Sequence, residues 1–276
     1  MRFTVSSTAL SSKLNALAKV INSKNSLPIL ADFLFDIQDN VLYLTASDSE
    51  NVINTQMELT ESDANGRFAI NNHDLLEAIK GFSEQPITFD VNLQDNIAKI
   101  SYQNGLFSLP VENADEYPQS QPITEGINTI VMPSNVLADN INRSLFATAQ
   151  DELRPVMNGI YFDLTPEHLA VVASDGHKLV RNKVFTVQSE QPASFILPKK
   201  PAGLLKNLLQ KDGGDVEIKF NERNAEINYG DGRLSCRLIE GRYPNYNSVI
   251  PQNNTNTLTV DRLALLAALR RVQPFA

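Results

Sequence analysis

The stretch from Pro28 to Asp48, PILADFLFDIQDNVLYLTASD, returns 127 residues later as PVMNGIYFDLTPEHLAVVASD, from Pro155 to Asp175. Pro28, Phe35, Asp36, Leu42, Ala46, Ser47 and Asp48 recur without a gap, far above what ordinary residue frequencies give for an alignment of this length. Farther on, Tyr102, Gly105 and Ser108 fall on Tyr229, Gly232 and Ser235. Each copy closes on a Tyr-Pro pair, Tyr117-Pro118 and Tyr243-Pro244, now one residue out of step. A repeat of domain length fixes the architecture before any fold is chosen: the chain is built from copies of one module. Val5, Met132 and Val260 correspond, as do Leu10, Leu137 and Leu265, so a third copy opens before Ala276. The expected division is therefore 1–125 and 126–254 as two whole modules, with 255–276 the first strand and helix of a truncated third. Polar, turn-rich segments near 122–126 and 251–256 separate them.

The module itself divides. Phe3-x-Val5 followed by Leu10, Leu14 and Leu17 reappears as Phe68-x-Ile70 followed by Leu75, Ile79 and Phe82. Each half reads as a strand, a polar break, a helix and then further strands. Ser7, Asn72 and Ser134 stand where a helix N-cap is wanted, with side-chain oxygens able to accept from free N–H groups. Leu10, Leu14, Leu17, Ala18 and Ile21 form one apolar stripe, opposite Ser12, Lys13, Lys19 and Asn22. Between the helices the pattern alternates, as in 33–37, 41–44, 87–91 and 216–220, which predicts strands with one buried face. Asp39-Asn40, Asn104-Gly105 and Gly230-Asp231-Gly232 supply turn chemistry. The fold class is α+β: tandem modules in which two helices pack on antiparallel sheets.

Composition narrows the function. The 276 residues hold 42% hydrophobic side chains, enough for each module to bury a core. No presequence and no membrane-length apolar run is legible, and the single cysteine, Cys236, excludes an intrachain disulfide framework. A reducing cytoplasm fits, and there the sequons at Asn142 and Asn253 carry no meaning. Cys236 sits in an alternating strand and reads as a small buried hydrophobe. No phosphate-cradling glycine loop appears, and His73, His168 and His177 lack zinc-ligand spacing, so neither a cofactor nor a metal is implied. Ser174-Asp175-Gly176-His177 suggests a hydrolase, but neighbours on one strand point to opposite faces and cannot converge as a triad.

Net charge is −8, yet the helical stretches 6–24, 71–82, 133–149, 199–211 and 257–273 together carry +8, leaving −16 on strands and loops. Equivalent helices in an arched array face one way. Their surface would then be positive inside an acidic shell and would attract phosphates there.

The chain resembles, over its whole length, the bacterial DNA polymerase III beta subunits, the sliding clamps. Carrying the resemblance are Met1-Arg2-Phe3-Thr4-Val5, Leu27-Pro28-Ile29-Leu30, and Arg154-Pro155-Val156-Met157-Asn158-Gly159. Ala173-Ser174-Asp175-Gly176-His177-Lys178-Leu179 and Glu240-Gly241-Arg242-Tyr243-Pro244-Asn245-Tyr246 complete it. It implies three modules per full-length subunit, two subunits per ring, duplex DNA through the hole and no chemistry of the protein's own. Twelve helices spaced ~9–10 Å apart trace a circle of roughly 110–120 Å. Less a helix radius of ~5–6 Å on each side, the opening is about 25 Å, which passes a B-form duplex. Contacts would be to phosphate and carry no sequence information.

The resemblance also assigns residues. Lys24, Arg154, Lys199, Lys200 and Lys206 are expected to face DNA. A cleft for partner peptides, such as the tail of DNA polymerase III, is expected from Met157, Ser174, Gly176, His177, Lys178, Leu179, Pro244 and Val249. Lys178 stands where arginine is frequent in the family, and Ser248 where some members carry a basic residue. An ATP-driven loader is an implied partner. Ring closure is expected to use Phe107, Leu109 and Phe275, making a full-length form a head-to-tail homodimer and the 276-residue chain a monomer or irregular associate. The alternative is a repeat-built interaction scaffold that does not encircle DNA.

Overall fold

The computed structural model describes residues 1–22, 27–118, 122–151, 153–209 and 213–275. Module 1 runs β1 (Arg2–Ser6), α1 (Ser7–Leu17), β2 (Asp32–Gln38), β3 (Val41–Ser47), β4 (Asn51–Glu58), the short β5 (Glu61–Ser62), β6 (Gly66–Asn71), α2 (Asn72–Ile79), β7 (Pro86–Asn92), β8 (Ile97–Tyr102) and β9 (Gly105–Glu112). Module 2 follows with β10 (Asn128–Pro133), α3 (Ser134–Ser144), β11 (Gly159–Leu164), β12 (Leu169–Ser174) and β13 (Leu179–Val184). It ends with β14 (Ala193–Pro198), α4 (Lys199–Leu208), β15 (Asp215–Phe220), β16 (Asn224–Tyr229) and β17 (Gly232–Arg237). The 127-residue shift carries α1 onto α3, β6 onto β14 and β8 onto β16 residue for residue.

Strands run antiparallel throughout. β10, β15, β16 and β17 of module 2 continue directly into β4, β3, β2 and β6 of module 1 as one sheet. The joint is the β17–β4 ladder, with Gly232 opposite Thr55, Leu234 opposite Ile53 and Cys236 opposite Asn51. β5, β1, β7, β8 and β9 form module 1's second sheet, joined to β6 where Val111 and Glu112 of β9 pair with Ile70 and Ala69, and β13, β12, β11 and β14 form module 2's. α1 packs on α2 and α3 on α4, and each of α1 and α3 touches strands of both sheets of its module. The core lies between them. It repeats too, since the stacked pair Phe35–Phe68, at 5.0 Å, recurs as Phe162–Phe195, at 4.6 Å. The closing tyrosines serve one purpose in both copies. Tyr117 is buried in a cluster with Leu34, and Tyr243 stacks at 4.6 Å on Tyr161, the repeat partner of Leu34.

The expected caps shift by one residue. Ser6 caps α1, accepting from Ala9 N, and Asn71 caps α2, accepting from His73 N and Asp74 N. Pro133 precedes α3 with no side-chain bond, while Ser134 N donates to Gly214 O. Each strand runs straight into its helix, so the strand's last residue already has the extended backbone that a cap requires. Asp39 and Asn40 take φ of 50° and 66°, as a tight hairpin demands.

Residues 244–276 form a separate unit. It contains α5 (Arg262–Val272), capped by Asp261, and Leu263, Leu269 and Val272 on it are exposed. The strand expected within 255–261 is not formed. β1 and β10 obtain their ladders from β7 and β15, later in their own modules, and the described residues after Val260 offer no such strand.

Gly159 opens β11 where an added Cβ would lie 2.6 Å from Leu197 O and 2.7 Å from Ile196 Cγ2. Gly159→Ala is therefore expected to cost about 1–3 kcal/mol by forcing β11 and β14 apart, read as a lower midpoint in urea. Asp32 gives a pH signature. Its burial, reinforced by Glu112 and Asp74 against the Asn71 amide, raises the carboxyl to about 6. A raised acid binds its proton more tightly in the folded state, so stability falls as pH rises through roughly 4 to 6 and stays lower above that window. Asp32→Asn is expected to raise stability at neutral pH by roughly 1–3 kcal/mol and to flatten that part of a melting-temperature profile.

Candidate functional site

The loop between α3 and β11 and the β12–β13 turn make one surface of module 2. Asp151 organises the loop. Its carboxylate accepts from Leu153 N at 2.9 Å and from Arg154 Nε at 2.8 Å. Asn158 closes the loop from the other side, accepting from Asp151 N and donating to Asp151 O, both at 3.0 Å. The bond to Arg154 and the backbone donor hold the Asp151 carboxyl below the usual carboxylate range.

The β12–β13 turn is built by Asp175. It accepts from His177 N and Lys178 N at 2.9 Å and from Lys178 Nζ at 2.6 Å. The Lys178 ammonium, then these backbone donors, hold its carboxyl far below the ordinary range. Ser174 Oγ donates to Lys178 O at 2.9 Å and accepts from Gly176 N. Ser174, Asp175 and His177 thus close a turn, and the geometry is that of a loop cap and not of a nucleophile with its base. Gly176 has φ of +89°, and a Cβ there would lie 3.0 Å from Arg154 Nη1. The bare backbone of Gly176 lets the Arg154 guanidinium lie close over the turn.

Arg154, Lys199, His177 and Lys178 share an open depression of about 540 Å³, with Asp151 and Asp175 between them and Phe146 at its edge. Residues expected to meet DNA and residues expected to meet peptide therefore share one surface. Met157 is buried beside it, with Ser174 and Leu179 half-buried at the two ends of the turn. Pro244 and Val249 are exposed and belong to the unit 244–276, as does Phe275. Phe146 was not legible in the sequence as a surface residue, because its apolar neighbours read as one helix. In the structure α3 ends at Ser144, and Phe146 is 65% exposed in the turn that follows.

The basic residues part company. Lys24 lies outside the described residues. Lys206 is half-buried in the last turn of α4, and Lys199 Nζ reaches Ala149 O at 3.4 Å. Lys200 is held across the module joint. Its ammonium donates to Val20 O at 2.7 Å, to Asn22 Oδ1 and to the buried Asp48 carboxylate, all in module 1. Its three donors are engaged across the module joint. Burial raises the Asp48 carboxyl, but Lys200 and the Asn51 donors outweigh that and hold it below the usual value. Lys13 does the same at the other side of the joint, pairing with Asp231 and donating to Thr55 Oγ1 at 3.1 Å. Phe107 and Leu109 are half-buried on β9, whose segment 105–110 is paired with β8 and meets β6 only from Val111 onward.

Comparison with known proteins agrees with this architecture. The family model for the N-terminal domain of the DNA polymerase III beta subunit matches residues 1–121, and that for its central domain matches 131–245. The beta sliding clamp of Haemophilus influenzae is 28% identical over 255 residues, covering 92% of this chain and 69% of that protein. A sliding clamp of Pseudomonas aeruginosa bound to griselimycin superposes with a TM-score of 0.91 at 24% identity, over 99% of this chain and 73% of that one. The Helicobacter pylori beta clamp bound to a DNA ligase peptide gives 0.88 at 22% identity, over 100% and 77%. With both domain models matched in order across two copies of one module, the chain belongs to the DNA polymerase III beta subunit family, the beta sliding clamps.

Proposed function

We propose that this chain works as a sliding clamp, a processivity factor that holds a polymerase on duplex DNA by encircling it, and that it performs no chemistry itself. The observation that carries the reading is the joint. One continuous sheet across two modules, each backed by a helix pair, is the arc of a ring whose helices can line a hole. The relatives named beta sliding clamps support the same reading. Arg154, Lys199 and Lys206, with Lys24, are the phosphate contacts, whereas Lys200 braces the arc. Few cations, none reading base edges, hold the duplex without fixing it in place. A loader driven by ATP would place the ring on DNA, and Phe107 and Leu109 belong to the face where subunits join.

The surface around Gly176 is the proposed cleft for an extended peptide, with Met157 and Leu179 as its apolar contacts and Ser174, His177 and Lys178 as its polar rim. The peptide-bound Helicobacter pylori clamp supports a site of this type.

Lys199→Glu with Lys206→Glu is expected to reduce retention on nicked circular DNA at least tenfold and to lower the salt slope of binding by about one for each phosphate no longer neutralised. Lys200→Ala should act differently, lowering the melting temperature through the joint while changing that slope little. Retention unaltered by the double reversal would remove the lumen assignment. For the cleft, Gly176→Val forces the turn away from φ +89° and pushes on Arg154. Affinity for a fluorescent peptide carrying Gln and a terminal apolar pair should fall about tenfold or more, roughly 1.4 kcal/mol. Unchanged peptide anisotropy would place the cleft elsewhere.

A further inference from the structure

The repeat that builds the modules also copies the turn at the candidate cleft. The β3–β4 turn of module 1 reproduces three bonds of the β12–β13 turn of module 2. Ser47 Oγ accepts from Ser49 N at 3.1 Å, as Ser174 Oγ accepts from Gly176 N. Asp48 accepts from Glu50 N at 3.0 Å and Asn51 N at 2.7 Å, as Asp175 accepts from His177 N and Lys178 N. Ser49 even keeps the left-handed backbone of Gly176, with φ of 81° against 89°. A serine adopts that conformation only under strain, and the bonds to Ser47 and Asp48 hold it there.

Beside this turn lies a cavity of about 190 Å³. Ser47, Ser49, Glu50 and Val52 line it, and the 127-residue shift carries them onto Ser174, Gly176, His177 and Leu179. Pro118 and Ile123 line it too. The shift of one residue less that aligns the two Tyr-Pro pairs carries them onto Pro244 and Val249. Residues expected in the cleft of module 2 thus have their counterparts gathered on one cavity of module 1. Module 2 supplies the facing wall. The β17–β4 ladder sets Ser235 against Val52 and Cys236 against Asn51, and Ala225 and Glu226 of β16 pair with them from behind. Every one of these residues belongs to the unit 1–243.

We propose that this cavity at the module joint is a second peptide site, which takes one apolar side chain of an extended partner segment with a lysine or arginine beside it. The volume suits a single anchor, since a cavity of about 150 Å³ takes up a benzene ring. Val52, Pro118, Ile123, Ala225 and the buried Cys236 give that anchor apolar contact. Charge sets the flank. Glu50 is exposed where module 2 has His177, and Asn51 stands where it has Lys178. Among the described lining residues the carboxylates of Glu50 and Glu226 outnumber the one cation, Arg237. The surface around Gly176 has the opposite character, with Arg154, His177, Lys178 and Lys199 around it. The two sites would therefore select segments of different charge, and two partners could be held without competing. In taking a peptide the site rests on the reading of the Gly176 surface as a cleft, whereas its walls follow from the joint alone.

The test titrates the 276-residue chain, methyl-labelled at isoleucine, leucine and valine, with two probes followed by NMR. One is acetyl-Lys-Phe-Lys-amide, and the other is a peptide carrying Gln and a terminal apolar pair. The basic probe should shift the methyl resonances of Ile123 and Val52 at millimolar concentration, and the Gln probe should shift Leu179. Glu50→Lys should weaken the basic probe about tenfold, and Ile123→Asp by at least as much. Glu50 is exposed, so its replacement tests the site without disturbing the core. No shift at Ile123 from the basic probe, or shifts there that both variants leave unaltered, would overturn the second site. Shifts at Leu179 under either of those results would leave the cleft reading standing. Shifts at Ile123 from the basic probe with none at Leu179 from the Gln probe would keep the joint site and remove the cleft.

Discussion

The backbone ladder between Asn51–Thr55 and Gly232–Cys236 is the constraint on which the rest of the unit 1–243 depends. A strand pair fixes direction, register and twist at once, because every N–H and C=O on the facing edges must find its counterpart. Once β17 is on β4, the two helix pairs are held by a single sheet and their relative placement is no longer free. Two linked beads would have no such constraint. The ladder is sealed by Leu234 against Ile53 and flanked by two lysines that reach from helices to the opposite module, Lys13 to Asp231 and Lys200 to Asp48. The second pair matters more per contact. Asp48 is almost wholly buried, and a carboxylate there without its ammonium and the Asn51 donors would be left charged and poorly solvated.

Much of this architecture was legible in the chain because the repeat reports equivalence, and equivalence is what an array of modules is made of. Pro28–Asp48 against Pro155–Asp175 placed β2 and β3 on β11 and β12, and the half-length match of Phe3 with Phe68 placed β1 on β6. The alternating runs became strands within a residue or so at most ends, with β3 extending three residues further, to Ser47. What the sequence could not show were the contacts made once the copies meet. Lys200 reads as one more helix lysine because its partners, Val20, Asn22 and Asp48, lie more than a hundred residues away. The helix caps differ from expectation for a local reason, since a strand passing directly into a helix leaves no polar break. The strand expected in 255–261 failed for a non-local one, since a strand exists only by virtue of its neighbour.

The site was legible as a set of residues and not as a geometry. Ser174-Asp175-Gly176-His177 looks catalytic on paper because Ser, Asp and His occur together. In the folded chain their roles diverge. Ser174 and Asp175 bind the turn's backbone, Gly176 supplies the positive φ, and the His177 side chain is left at the surface. A turn held by five side-chain-to-backbone or ionic contacts around one carboxylate and one hydroxyl is rigid without being reactive. That combination suits recognition, since a surface already fixed before binding loses little conformational freedom on binding.

The distribution of charge follows from the same division of labour. The helices carry the excess of lysine, but the joint takes Lys13 and Lys200 for itself, and Asp151 holds Arg154 against the β12–β13 turn. The positive potential left along the helices is therefore weaker than the sequence sum implies, and the acidic strands around them remain. A duplex in such a ring would meet a few cations and a repulsive shell beyond them. Strong, geometrically fixed pairing with phosphates would raise affinity and arrest movement, because each step along the helix would have to break it. With Lys200 engaged at the joint, retention in the proposed ring would rest more on encirclement than on attraction between helix lysines and phosphate.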